Sequence, residues 1–76
     1  MSIDYTMPKE AEIEITVYNS KGQKVKTLVN GNSKAGLHKV SWNGCDQNGK
    51  ALSSGIYFYK VTTSGKTITR KMVLMK

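Results

Sequence analysis

Hydrophobic and polar residues alternate along most of this chain with the period of two that is typical of β-strands with one buried face. The clearest example is residues 12–18, where Ile13, Ile15 and Val17 share one face and polar residues occupy the other. No window of the sequence shows the 3.6-residue period of an amphipathic helix. The pattern therefore predicts an all-β protein.

Turn-forming residues divide the alternating segments into short strands. Glycine, asparagine and serine stand between the segments, and the single proline, Pro8, lies at a strand end where its missing N–H group is tolerated. We predict strands at residues 3–6, 12–18, 24–29, 37–42 and 54–61, and a final strand from residue 66 to residue 76 after a turn at Ser64 and Gly65. This spacing favours one domain, residues 1–76, with the fold of a small immunoglobulin-like β-sandwich of about seven short antiparallel strands. A five-stranded barrel of the oligonucleotide-binding type is the competing fold.

Trp42 closes one of these strands and is the expected centre of the core. In the last hairpin, the face that begins with Tyr57 is expected to point inward, because Lys60 lies on the opposite face. The expected neighbours of the tryptophan are Val17, Val25, Leu28, Leu37, Val40 and Val61.

Composition limits how such a small domain can be stabilised. A single cysteine, Cys45, cannot form a disulfide within the chain, and together with the single histidine, His38, it cannot supply the four ligands of a structural zinc site. No stretch approaches the length of a membrane span, and residues 1–4 show no signal-peptide pattern. Side-chain packing alone is therefore expected to stabilise the fold.

The formal net charge of +7 is unevenly distributed. Residues 1–14 contain four acidic side chains, whereas residues 15–76 contain eleven basic residues and one acidic residue, Asp46. This asymmetry suggests an anionic partner, such as an acidic polysaccharide, nucleic acid or a lipid surface. The simpler interpretation, which we favour, is a solvated lysine-rich exterior. Nucleic acid is the weaker candidate, because Arg70 is the only arginine and most aromatic residues are needed for the core.

The sequence offers little catalytic chemistry, and neither an enzyme activity nor a cofactor is expected. His38 lies in an alternating strand segment, where we expect it to be exposed, and it has no acidic neighbour. Cys45 precedes Asp46, whose carboxylate disfavours a reactive thiolate. Residues 43–49 distantly resemble a calcium loop but lack its bidentate glutamate, so two successive tight turns are the better interpretation and no metal site is expected.

Six segments, taken in order, resemble one family of immunoglobulin-like domains. This family comprises the immunoglobulin-like domain of the flagellar hook-capping protein and the related C-terminal sorting domain of type IX secretion substrates. Two residues depart from the family pattern, Asn43 in place of aspartate and Cys45 in place of a charged or polar residue. The segments are IDYTMP (3–8), EIEITVYNSKG (12–22), KVKTLV (24–29), AGLHKVSWNG (35–44), SGIYFYKV (54–61) and RKMVLMK (70–76).

The resemblance to sorting domains implies a non-catalytic function in protein export. Such a domain directs a larger bacterial protein across the outer membrane, through the secretion machinery, to the cell surface or the medium. The final strand would then be the recognised signal, with Arg70 adding to the basic charge. Its expected recognition residues are Lys71, Met72, Val73, Leu74 and Lys76. The alternatives are a passive accessory, spacer or adhesion module of an extracellular enzyme, and a structural domain like that of the hook cap.

Overall fold

A computed structural model describes residues 2–63 and 65–75, which form six strands in two antiparallel sheets. The all-β, immunoglobulin-like prediction is confirmed, although six strands are formed in this part of the chain rather than about seven. The long loop between the fourth and fifth strands contributes only an isolated bridge between Cys45 and Ala51. The strands are β1 (Ser2–Met7), β2 (Ala11–Asn19), β3 (Lys24–Ser33), β4 (Gly36–Ser41), β5 (Gly55–Thr63) and β6 (Lys66–Leu74).

The two sheets differ in size and are packed face to face. The smaller sheet pairs β1 with β4, and the larger has the order β3-β2-β5-β6. The β2–β3 hairpin contains register shifts after Ile15 and after Val17, whereas β5 and β6 pair without interruption from Gly55–Leu74 to Thr63–Lys66. The larger sheet therefore has β3 at one edge and β6 at the other.

Alternating side chains of both sheets fill the interior in two adjoining clusters. The first cluster is centred on Ile13 and Ile15, and the second contains Trp42. Leu28 and Tyr59 contact both clusters and so join them into one core. The buried members of the first are Ile3, Met7, Ile13 and Ile15, and those of the second are Val17, Trp42, Tyr57 and Leu74.

Trp42 confirms its predicted burial, and its indole Nε1 donates a hydrogen bond of 2.9 Å to the carbonyl oxygen of Cys45. The prediction for Leu37 is wrong, because this side chain is 78% exposed. In β4, His38 and Val40 lie on the inward face, so Leu37 and Lys39 point outward. Val40 and Val61 are core residues, but they pack against the first cluster and not against Trp42.

Helices are absent from residues 2–63 and 65–75, and nothing in this part of the chain meets the criteria for a membrane-spanning helix. The turn between β2 and β3 shows how local sequence sets the connections. The Asn19 Oδ1 atom accepts hydrogen bonds from the backbone N–H groups of Lys21 and Gln23, at 3.0 and 2.9 Å. Gly22 has a φ of 83°, a left-handed conformation that glycine adopts without strain.

Candidate functional site

Strand β6 contains four of the five residues expected to carry recognition, and it lies at an edge of the larger sheet. Its side chains alternate between two environments. Lys71 and Val73 point outward and are exposed, whereas Met72 and Leu74 point inward against the second core cluster. Lys76, the fifth expected residue, lies outside the described residues.

The structure thus separates the predicted site residues into two groups with different roles. The inward pair anchors the strand, because Leu74 is only 8% exposed. The outward pair is available to a partner. Arg70, which we expected to act with Lys71, lies on the inward face beside Tyr59, so the two cations point to opposite sides of the sheet.

The outward side chains of β6 continue into a mixed apolar and basic surface on β5. The strand register places Lys71 opposite Phe58 and Val73 opposite Ile56. Ile56 and Val73 are 47% and 48% exposed. We call this surface the outer patch and define it by Tyr18, Ile56, Phe58, Lys60, Lys71 and Val73.

The outer patch lies at a basic end of the larger sheet, away from the acidic side chains of the same face. The Nζ atom of Lys60 lies 5.4 Å from the ring centroid of Tyr18, within the range of a cation–π contact. Glu12 and Glu14 lie on the same outward face but at the other end of β2. Alternation predicts that Phe58 points outward. Its position beside Lys71 was not predicted, although the turn expected from the sequence at residues 64 and 65 implies this pairing.

The opposite edge of the larger sheet, β3, is partly covered by the loop between β4 and β5. The backbone N–H of Gln47 donates to the carbonyl oxygen of Val25 at 2.8 Å, and the Gln47 side-chain Oε1 accepts from the backbone N–H of Thr27 at 3.1 Å. Covering an edge in this way prevents it from pairing with other strands. No comparable loop contact is found along β6 in the described residues, so β6 is the more accessible edge.

That covering loop is itself stabilised by Asp46. The Asp46 Oδ1 atom accepts hydrogen bonds from the backbone N–H groups of Asn48 and Lys50, at 3.0 and 2.9 Å. The N–H of Gly49 donates to the Asp46 carbonyl oxygen at 3.0 Å. These contacts match the turn interpretation of residues 43–49 and give the aspartate a structural role.

His38 and Cys45, the remaining candidates for chemistry, have structural surroundings. His38 lies in a strand as predicted, but the prediction that it is exposed is wrong. Its ring is partly buried and stacks on Tyr5 at 5.1 Å, and its Nε2 donates to the carbonyl oxygen of Lys34 at 2.6 Å. Cys45 is a partly buried free cysteine. The described residues contain no group of three or more histidine, cysteine or acidic side chains that could bind a metal ion.

Comparisons with known proteins place this geometry in one family. The family model described as "FlgD Ig-like domain" matches residues 1–67. The crystal structure of FlgD from Pseudomonas aeruginosa superposes with a TM-score of 0.74 at 28% sequence identity, over 96% of this chain. The chain corresponds to 59% of the FlgD chain, so it matches only part of that protein. The search of curated protein sequences found no match.

Proposed function

We propose that this chain, which belongs to the FlgD Ig-like domain family, is a sorting domain recognised through β6. The family consists of non-catalytic structural domains related to the flagellar hook-capping protein. In this proposal the outer-membrane secretion machinery of a bacterium binds the folded domain and exports the larger protein that carries it. The destination is the cell surface or the medium.

The observation that carries the proposal is the division of β6 into an anchored face and an exposed face. Met72 and Leu74 fix the strand against the core, so the outward residues Lys71 and Val73 are presented in one geometry. A rigid, accessible edge strand supports recognition by strand addition, in which backbone groups provide affinity and side chains provide specificity.

Export of the full-length protein from its native cell tests this proposal. Lys71→Glu and Val73→Asp should each reduce the exported fraction strongly, because both alter the exposed face. Each should change the unfolding free energy of the domain by only about 0.5 kcal/mol. Lys39→Glu, on an exposed position of the smaller sheet, is the matched control and should leave export unchanged. If Lys71→Glu and Val73→Asp export normally, the sorting proposal is wrong.

The second candidate function is a passive structural or spacer domain. It is favoured by the match to FlgD over nearly the whole chain. Under this alternative, the outward residues of β6 have no role in localisation, and only variants that unfold the domain alter the parent protein. The inward variant Leu74→Ala then reduces export only in proportion to the loss of folded domain, whereas Lys71→Glu has no effect.

A further inference from the structure

The two sheets leave a groove between β1 and β6. The groove has a volume of about 250 Å³. Its floor is the inward face of the larger sheet, including Ile13, Tyr59 and Val61. One wall is β1, and the other consists of Ile68 and Arg70 of β6.

The wall formed by β1 is a strand edge and not a strand face. Five consecutive residues, 3–7, line the groove. Since successive side chains of a strand point to opposite faces, a continuous run along a groove means that the backbone edge faces it. β1 pairs only with β4 among the described strands, so this edge is free to accept another strand.

The opposite wall shows that the larger sheet is incompletely covered. Ile68 lies on the inward face, opposite Val61, yet 51% of its surface is exposed. Arg70, next on the same face, is also exposed. The smaller sheet is therefore one strand too narrow to cover this half of β6, and a strand added beside β1 would lie over both residues.

The charge of the wall specifies what that strand should carry. Arg70 is the single arginine of the chain, and it lies on the inward face of β6, where it lines the groove with Ile68 and Tyr59. Arginine forms bidentate hydrogen bonds with carboxylates, which lysine does not. An acidic side chain over Arg70 and an apolar side chain two residues away, over Ile68, would match the period of a strand.

We propose that this groove binds an extended peptide segment of a partner protein, which adds to the free edge of β1 as a third strand. The segment carries aspartate or glutamate facing Arg70 and an apolar residue two positions away facing Ile68. This site uses the inward residues of β6 and does not depend on the proposed sorting function, which uses the outward residues.

Selection from a random nine-residue peptide library displayed on phage, with the 76-residue chain as bait, tests the proposal. We expect enrichment of peptides with an acidic residue and an apolar residue two positions apart. The same selection on Arg70→Gln should lose the acidic preference. A synthetic copy of the most enriched peptide should shift the amide resonances of β1 and of Ile68 in NMR titrations.

Two matched variants quantify the contribution of the arginine. Arg70→Gln should lower the affinity for the synthetic peptide about ten-fold or more, as expected for a lost charge-assisted hydrogen bond. Lys71→Gln removes a cation from the opposite face of the same strand and should change the affinity by less than about two-fold.

Three results would overturn the proposal. The first is that no such motif is enriched and that Arg70→Gln self-associates. In that case the arginine only provides a charge that keeps an open strand edge from pairing. The second is an enriched motif that is identical for the native chain and Arg70→Gln. The third is a native dimer in analytical ultracentrifugation whose interface buries the groove, which makes a second copy of the chain its occupant.

Discussion

Single polar side chains determine the irregular parts of this domain. Asp46 shows the principle, since one carboxylate oxygen accepts from the backbone N–H groups of two residues, Asn48 and Lys50. Aspartate favours turns because its short side chain can bond to the backbone a few residues on. The loop that it stabilises also brings Gln47 to the edge of β3, so a local turn has a distant effect.

Removal of the Asp46 carboxylate should therefore destabilise the domain. We expect Asp46→Ala to lower the unfolding free energy by about 1–2 kcal/mol, since two backbone donors lose their acceptor. Asp46→Asn keeps an acceptor oxygen and should restore most of the loss. Urea unfolding followed by circular dichroism measures both. Equal losses for the two variants would mean that the negative charge, and not the acceptor, is what matters.

At the scale of the element, the two edges of the larger sheet are treated differently. β3 is covered where Gln47 bonds to the backbone of Val25 and Thr27. β6 instead exposes two threonines, Lys71 and Val73 on its outward face. Long uncovered edges invite pairing with other chains, so the covering of β3 leaves β6 as the more accessible edge of the larger sheet.

The covering of β3 can be tested through a single amide. In Gln47→Ala the N–H of Thr27 loses its side-chain acceptor, so its hydrogen exchange should accelerate. The expected loss of stability is about 0.5–1.5 kcal/mol, the usual net contribution of one hydrogen bond. Asn48→Ala is the control, because Asn48 is exposed in the same loop and Thr27 donates to Gln47 and not to Asn48. Unchanged exchange at Thr27 in Gln47→Ala would contradict the edge-covering role.

Much of this element structure follows from the sequence, because period-two alternation and glycine-rich turns are local signals. They correctly indicate strands such as β2 and the inward position of Tyr57. Alternation also indicates that Leu37 is exposed, because Leu37 shares a face with Lys39 and Ser41, whereas Val40 lies on the other face. The expected burial of Leu37 followed its hydrophobicity and not this pattern. The separation of Arg70 from Lys71 follows from alternation, but the groove beside Arg70 depends on how the two sheets meet, which no local pattern encodes.

At the scale of the whole molecule, 76 residues must stabilise two sheets by packing. The described residues contain one cysteine, which is free, so the core carries the stability. The core of a domain of this size rarely supplies more than about 3–5 kcal/mol of unfolding free energy. One large cavity in the core should therefore be enough to unfold a substantial fraction of the molecules.

Ile15 is fully buried and is the sharpest test of this limit. Ile15→Ala should cost about 2–5 kcal/mol and leave the domain largely unfolded at 25 °C, whereas Ile15→Val should cost about 0.5–1.5 kcal/mol and remain folded. Ile56→Ala, on the outer patch, is the control with a half-exposed side chain and should unfold at nearly the native urea concentration. A folded Ile15→Ala domain, measured by circular dichroism, would show that the core has stability in reserve.

The position of Trp42 also makes the domain its own spectroscopic reporter. Trp42 follows β4 of the smaller sheet, and its ring lies 5.5 Å from that of Tyr57 in β5 of the larger sheet, in an edge-to-face arrangement. It is the only tryptophan in the chain. Light absorbed by Tyr57 should therefore be emitted by Trp42 while the sheets are docked. Separation of the sheets would return the emission to tyrosine, so one fluorescence ratio follows their association without any attached dye.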